Sequence, residues 1–420
     1  MNVRFRFDLP SKTNNSEFRL GWRVVVAAMV GVACGASPIP FTLIAQLIGP
    51  MHSELGWKVG DISLAVTLFG FAAAAMAPYV GGLADRHGVR RVAIGSLLTF
   101  GIAFAALGLT PAYPAAWWLA WFLAGLVSIG SGPITWTRGV NLWFFQRRGL
   151  ALGIALLGTS LTGIAVPLLA GRAIDAWGWR WSFPLLALLP LLVALPVTLA
   201  LFREPRPQEM PAQNVGPRGL TGVTRAAALA DRRFWIILAS VLLIALAYGG
   251  INVHLQQMLE LRGFERNTAR GVVGSLAVAI LVGRVGTGVL LDRVWAPLVA
   301  LPILAAPALA CQLLSGGTLT LTSAYLCAAL VGLAAGSETD LLAYLTGRYF
   351  GMAHYGKIYG LLFLPFGIAS GLSPALYGWS RDAVGDYTAA LRVALALFVI
   401  GAALPLLLGR YPTFARIERQ

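Results

Sequence analysis

Long apolar stretches separated by short polar breaks fill almost the whole chain. Within a stretch the apolar residues run on without period-two alternation, and each stretch suffices for a helix of about 20 residues, the length that crosses a bilayer core. Spans are read near residues 22–50, 58–82, 91–110, 115–144, 149–172, 181–202, 234–259, 268–291, 298–315, 319–346, 358–379 and 388–409. The breaks carry Gly, Pro or charge. One polar interval is long: it runs from Arg203 to Arg233, holds Pro205, Pro207, Pro211 and Pro217, and divides the spans six and six. The pattern predicts an all-α membrane protein of twelve transmembrane helices in two six-helix bundles, at residues 21–202 and 234–410. A linker at 203–233 joins them, and tails at 1–20 and 411–420 flank them.

Composition agrees and adds exclusions. Of 420 residues 58% are hydrophobic and 12% charged, too apolar for a disordered chain and outside the range of ordinary soluble domains. The net charge of +15 would suit nucleic acid, but the basic residues sit in short clusters between spans, where topology needs them. With the N-terminus inside, 22 of the 32 basic residues fall on the inner side. That bias predicts cytoplasmic termini and linker, in a multi-pass protein of the cell inner membrane. Met1 to Leu20 carries charge throughout and no apolar core, so it reads as a tail and not as a cleaved signal. Cys34, Cys311 and Cys327 lie inside spans and read as packing residues. His52, His87 and His354 show no metal spacing, and neither a metal nor a cofactor is expected.

An internal repeat supports the halving. After span 2 the chain reads GGLADRHGVRR, with Gly81, Asp85, Arg86, Gly88, Arg90 and Arg91; after span 8 it reads GTGVLLDR, with Gly288, Asp292 and Arg293. The Gly-x-x-x-Asp-Arg spacing recurs at the same place in each half, as in transporters built from repeats. Gly81 permits close helix approach, and Asp85 can accept hydrogen bonds from a facing helix end.

With these residues the chain resembles the major facilitator superfamily. The resemblance implies that the motif is a clamp between bundles, made in one access state and broken in the other. A narrower likeness rests on WFFQRRGLALGIALLGTSLTG (Trp143 to Gly163), WGWRWSF (Trp177 to Phe183), GRVGTGVLLDR (Gly283 to Arg293) and GSETDLLAYLTGRYFG (Gly336 to Gly351). These are similar to the monocarboxylate transporter family, in its bacterial branch. In that family an arginine in span 8 holds the substrate carboxylate, and Arg284 matches its position. The chain departs from the animal members at Ile280, where they carry Asp, and in having no Lys in span 1. Relatives that exchange oxalate and formate place a second cation near the position of Phe366. One carboxylate is therefore favoured over two, and the animal coupling residues do not transfer.

Four charged side chains lie deep in spans: Arg138, Arg284, Glu338 and Asp340. Each costs at least about 2.5–3.5 kcal/mol there and so needs a partner or a purpose. Counted from the inner ends at about 1.5 Å per residue, they sit about 12 to 15 Å deep. The expectation is that Arg284 binds substrate, that Glu338 or Asp340 couples a proton, and that Arg138 pairs structurally with an acid of span 10. Two residues apart on a helix, the acids face different neighbours. Asn141, Thr42, Tyr248 and Asn252 are weaker substrate-lining candidates, and His254 reads as a loop-end histidine. Pro38, Pro40 and Pro365 should kink their helices.

The favoured function is secondary transport of a small organic anion, a monocarboxylate, with a proton, by a functional monomer in the lipid bilayer. The alternative is a drug exporter of the same fold, which would want cavity acids without an arginine. An enzyme is disfavoured because the chain has no phosphate loop and no nucleophile elbow.

Overall fold

The computed structural model describes residues 14–216 and 219–414. Among them eleven helices are long and apolar enough to cross a membrane. They are α2 Gly60–His87, α3 Val89–Leu109, α4 Pro114–Trp143, α5 Arg148–Trp177, α6 Trp179–Leu201, α7 Arg232–Leu261, α8 Arg266–Leu291, α9 Ala296–Ser315, α10 Leu321–Tyr349, α11 Tyr355–Val384 and α12 Thr388–Leu408. The first span, α1, comes in two pieces, Asn14–Ala33 and Ile39–Leu55, and completes twelve. Most of the expected tails lies outside the described residues, as do Pro217 and Arg218 of the linker.

The break in α1 has a chemical cause. Pro38 and Pro40 offer no N–H, so the helical ladder fails around them and nearby backbone groups need other partners. Ala36 N–H donates to the Ser131 hydroxyl at 3.0 Å, and Thr162 Oγ1 donates to the Ala33 carbonyl at 2.5 Å. Ser131 itself ends a 3-10 turn, Ile129–Ser131, that interrupts α4. A Cβ on Gly35 would collide with the Ser131 carbonyl, so two interrupted helices interlock there. Pro365, also expected to kink its helix, lies within a helix that runs unbroken from Tyr355 to Val384.

The GGLADRHGVRR motif is not a loop. α2 stays helical through His87, and the reversal into α3 uses Gly88 alone, at φ +87. Small residues then set which helices touch. Gly283, Gly332 and Gly336 bring the α8 and α10 backbones together; a Cβ on Gly283 would lie 2.6 Å from the Leu333 carbonyl. Gly81 meets Gly356 and Gly360 meets Ala77 and Pro78 in the same way, joining α2 to α11 across the two halves of the chain.

The linker is folded. Val215–Gly216 pairs antiparallel with Gly219–Leu220, and a short helix, Arg225–Ala230, begins at the Thr224 cap. Beyond the hairpin the Thr221 carbonyl accepts from the N–H groups of Met352 (2.6 Å) and Ala353 (3.0 Å), and Val223 N–H donates to the Phe350 carbonyl (2.9 Å). Those bonds pin the linker on the turn between α10 and α11. Its exposed start is held by Arg203, which hydrogen-bonds Glu209 and, with the Arg206 N–H, pulls that carboxyl down to about 2. We call this side of the molecule the linker face.

Candidate functional site

The α8–α10 glycine contact places Arg284 beside the acids of α10. Arg284 Nη1 donates to Asp340 Oδ1 at 2.6 Å and to Thr339 Oγ1 at 3.3 Å. The two charged side chains are 7% and 1% exposed, a desolvated ion pair. Such a pair repays its dehydration only when its hydrogen bonds are complete, and here Arg284 Nε and Asp340 Oδ2 are buried without partners. Thr287 and Ser337 share a hydroxyl bond of 2.6 Å between the same two helices. Across the bundle boundary, Gly153 of α5 leans on the Arg284 carbonyl.

Glu338 points elsewhere. It lines a cavity of about 20 Å³ with Ile237, Ser240, Val241 and Ile244 of α7 and Ala300 and Leu304 of α9, and its Oε1 has no partner. The cavity is inside the C-terminal half and almost wholly aliphatic. The two acids therefore face different neighbours, and Asp340 is the one that meets the arginine.

Arg138 does not pair with α10, as the sequence reading had it. Its Nε lies 3.3 Å from Asp85 Oδ1, and it donates to the carbonyls of Ala84 (3.3 Å) and Met352 (3.1 Å). A long side chain on a mid-span Cα reaches the linker face, where the charge finds polar partners. Asn141 is likewise not beside Arg284. Its carbonyl accepts from Arg148 Nη2 (3.4 Å) and Asn214 Nδ2 (3.0 Å), near the linker. Thr42 spends its hydroxyl on the Pro38 carbonyl at 2.9 Å, at the α1 break. Tyr248 donates to Asn252 one turn along α7, at 3.0 Å; neither bonds to Arg284.

Both copies of the repeated motif act on helix ends. Asp85 accepts the N–H groups of Gly356 (2.9 Å) and Lys357 (3.0 Å), the first turn of α11. Asp292 accepts those of Gly149 (2.6 Å) and Leu150 (3.0 Å), the first turn of α5. Free N–H groups and the helix dipole make such a terminus a good seat for a carboxylate. A Cβ on Gly288 would lie 2.5 Å from the Gly149 carbonyl, as one on Gly81 would strike Gly356. Burial pushes the Asp292 carboxyl up to about 7, against the pull of its two N–H donors. Arg90 binds the Leu199 carbonyl (2.9 Å), and its N–H donates to Glu204 (3.2 Å), tying α3 to the end of α6. Arg86, Arg91 and Arg293 are exposed.

The profile of the Major Facilitator Superfamily matches residues 30–374. The chain belongs to that superfamily. Among curated relatives, bovine "Monocarboxylate transporter 13" is 28% identical, with 94% of this chain and 91% of that protein covered. The "Fujikurins efflux protein" of Gibberella fujikuroi is 26% identical over 56% of this chain and 48% of its own. Among solved structures, the E. coli fucose:proton symporter FucP in its outward conformation superposes with TM-score 0.70 at 14% identity, covering 94% of this chain and 100% of that one.

In this facilitator the two carboxylate clamps join α2 to α11 and α8 to α5, so each half of the chain grips the other at the linker face. That face is closed. Sequence reasoning missed Arg148, which it counted as a topology charge but which is 0% exposed. It also missed Thr339, beside Arg284, and Asn214, a linker residue buried against α4 and α5. The signal for Arg148 was its spacing from Leu152 and Ala155, four and seven residues on, which puts it on a buried apolar face of α5.

Proposed function

We propose that this facilitator carries a small monocarboxylate together with a proton across the cytoplasmic membrane by alternating access, acting as a monomer with its linker face toward the cytoplasm. The Arg284–Asp340 pair carries this reading. A guanidinium binds a carboxylate as a fork, and Asp340 stands where a substrate carboxylate would stand. When the substrate takes Arg284, Asp340 loses its cation in a dry site and takes up a proton, since an unpaired buried carboxylate is costly. Anion and proton then move together without net charge. When the substrate leaves, Asp340 returns to Arg284 and its proton departs. That Phe366, and not a cation, holds the position matching the oxalate relatives' second cation supports one carboxylate over two.

The efflux relative raises the exporter alternative. A lipophilic cation needs an acid in an open cavity, whereas Asp340 is held by an arginine and Glu338 faces a cavity of about 20 Å³. Uptake of labelled lactate or pyruvate into proteoliposomes, driven by an inward proton gradient, tests the reading. A carrier that ignores such acids and extrudes lipophilic cations would overturn it.

A further inference from the structure

Arg148 is the largest polar side chain sealed inside the molecule, and it has no carboxylate partner among the described residues. Its Nε donates to the Phe144 carbonyl (3.1 Å) and its Nη2 to Asn214 Oδ1 (3.2 Å), while Nη1 has no partner. The nearby carboxylates are already engaged: Glu17 accepts the N–H groups of Phe145, Gln146 and Arg147, and Asp292 those of Gly149 and Leu150. Beside Arg148 the Asn141 side chain, 0% exposed, leaves both its amide N and O unpartnered. Gly347 of α10 covers the pair; a Cβ there would lie 2.8 Å from Arg148 Nη1 and 3.7 Å from the Asn141 amide carbon. Gly347 is seven residues from Asp340 along α10, so this cluster lies about 10 Å from the central pair toward the linker face. Between them is another orphan, the buried Tyr359 hydroxyl, in a stacked run with Tyr355 and Phe363 along α11.

Arg148 and Asn141 belong to the N-terminal half, and their cover belongs to α10 and the linker. Parting the halves at the linker face uncovers an arginine with one unpaired N–H end, Nη1, and an amide side chain without partners. Resting on the transport reading above, we propose that Arg148 with Asn141 is a second carboxylate-binding position, sealed in this state and open to the cytoplasm in the other, where the anion halts between Arg284 and release. An unpaired guanidinium N–H and an amide N–H supply two donors for one carboxylate.

The test measures lactate affinity by calorimetry in two backgrounds: wild-type protein with the linker face closed, and Gly81→Leu, whose side chain cannot fit against Gly356 and holds that face open. Arg148→Gln should weaken lactate binding at least tenfold in the open background and less than twofold in the closed one. Asn141→Leu, which keeps the arginine and serves if Arg148→Gln does not fold, should weaken it about threefold in the open background alone. Thr224→Ala, which removes the cap of the linker helix and touches neither group, should change neither affinity by more than twofold. Equal effects of Arg148→Gln in both backgrounds, no effect in either, or a Thr224→Ala variant that matches it would overturn the proposal. If neither parent protein binds lactate, it is the transport reading that fails.

Discussion

At the scale of single residues the decisive fact is which acid meets which arginine. Four buried charges summing to zero were legible in the sequence, and so was the divergence of Glu338 and Asp340 around their helix. The pairing was not. Arg138 and Arg284 start from similar depths, but a side chain of that length reaches a turn or more either way, and only the fold decides where it ends. Arg284 stays with Asp340, whereas Arg138 reaches Asp85. Replacing Arg284 by Lys substitutes a point charge for a fork, and should raise the KM for a monocarboxylate at least tenfold, about 1.4 kcal/mol. Asp340→Asn mimics the protonated acid. It should still exchange anion for anion, yet fail to accumulate it against a gradient when the proton gradient is applied. Glu338→Gln should leave coupling intact, because that side chain faces aliphatic neighbours away from Arg284; loss of proton-driven accumulation in this variant would move the proton site.

At the scale of elements, the repeated Gly-x-x-x-Asp-Arg motif was legible as a pair of related ends, and the structure gives each Asp a helix N-terminus to hold. What the spacing did not reveal is that the motif stays helical until Gly88, because nothing in Asp85, Arg86 or His87 breaks a helix. The acceptors at those ends also could not be read, since Gly356 and Gly149 lie far off in the chain. Gly288→Leu should disfavour the closed linker face, seen as increased labelling of a cysteine placed at Thr137, which is buried against Tyr355 of the other half. Asp292 adds a pH dependence. Solvated in an open state it titrates near 4, its ordinary value, and in the closed state burial pushes it up to about 7. The closed state thus binds the proton more tightly, and lowering the pH from 8 to 6 should favour closure. Asp292→Asn should abolish that trend, as read by the same labelling.

At the scale of the whole molecule, twelve spans, a six-plus-six division and a linker followed from apolar periodicity and charge placement, because a bilayer permits few other designs for so apolar a chain. The state of the gate did not. It depends on contacts between residues hundreds of positions apart, such as Asp85 with Gly356 and Asp292 with Gly149. The linker was legible as polar and proline-rich, but its docking on Phe350, Met352 and Ala353 comes from backbone hydrogen bonds that composition does not encode. The central claim is that a substrate carboxylate displaces Asp340 from Arg284 and brings one proton with it. Its most direct test is the proton-to-anion stoichiometry in proteoliposomes, from the reversal of labelled lactate flux as opposing proton and lactate gradients are varied. One proton per lactate with no dependence on membrane voltage is the expected result. Reversal that ignores the proton gradient, or that shifts with voltage, would contradict it.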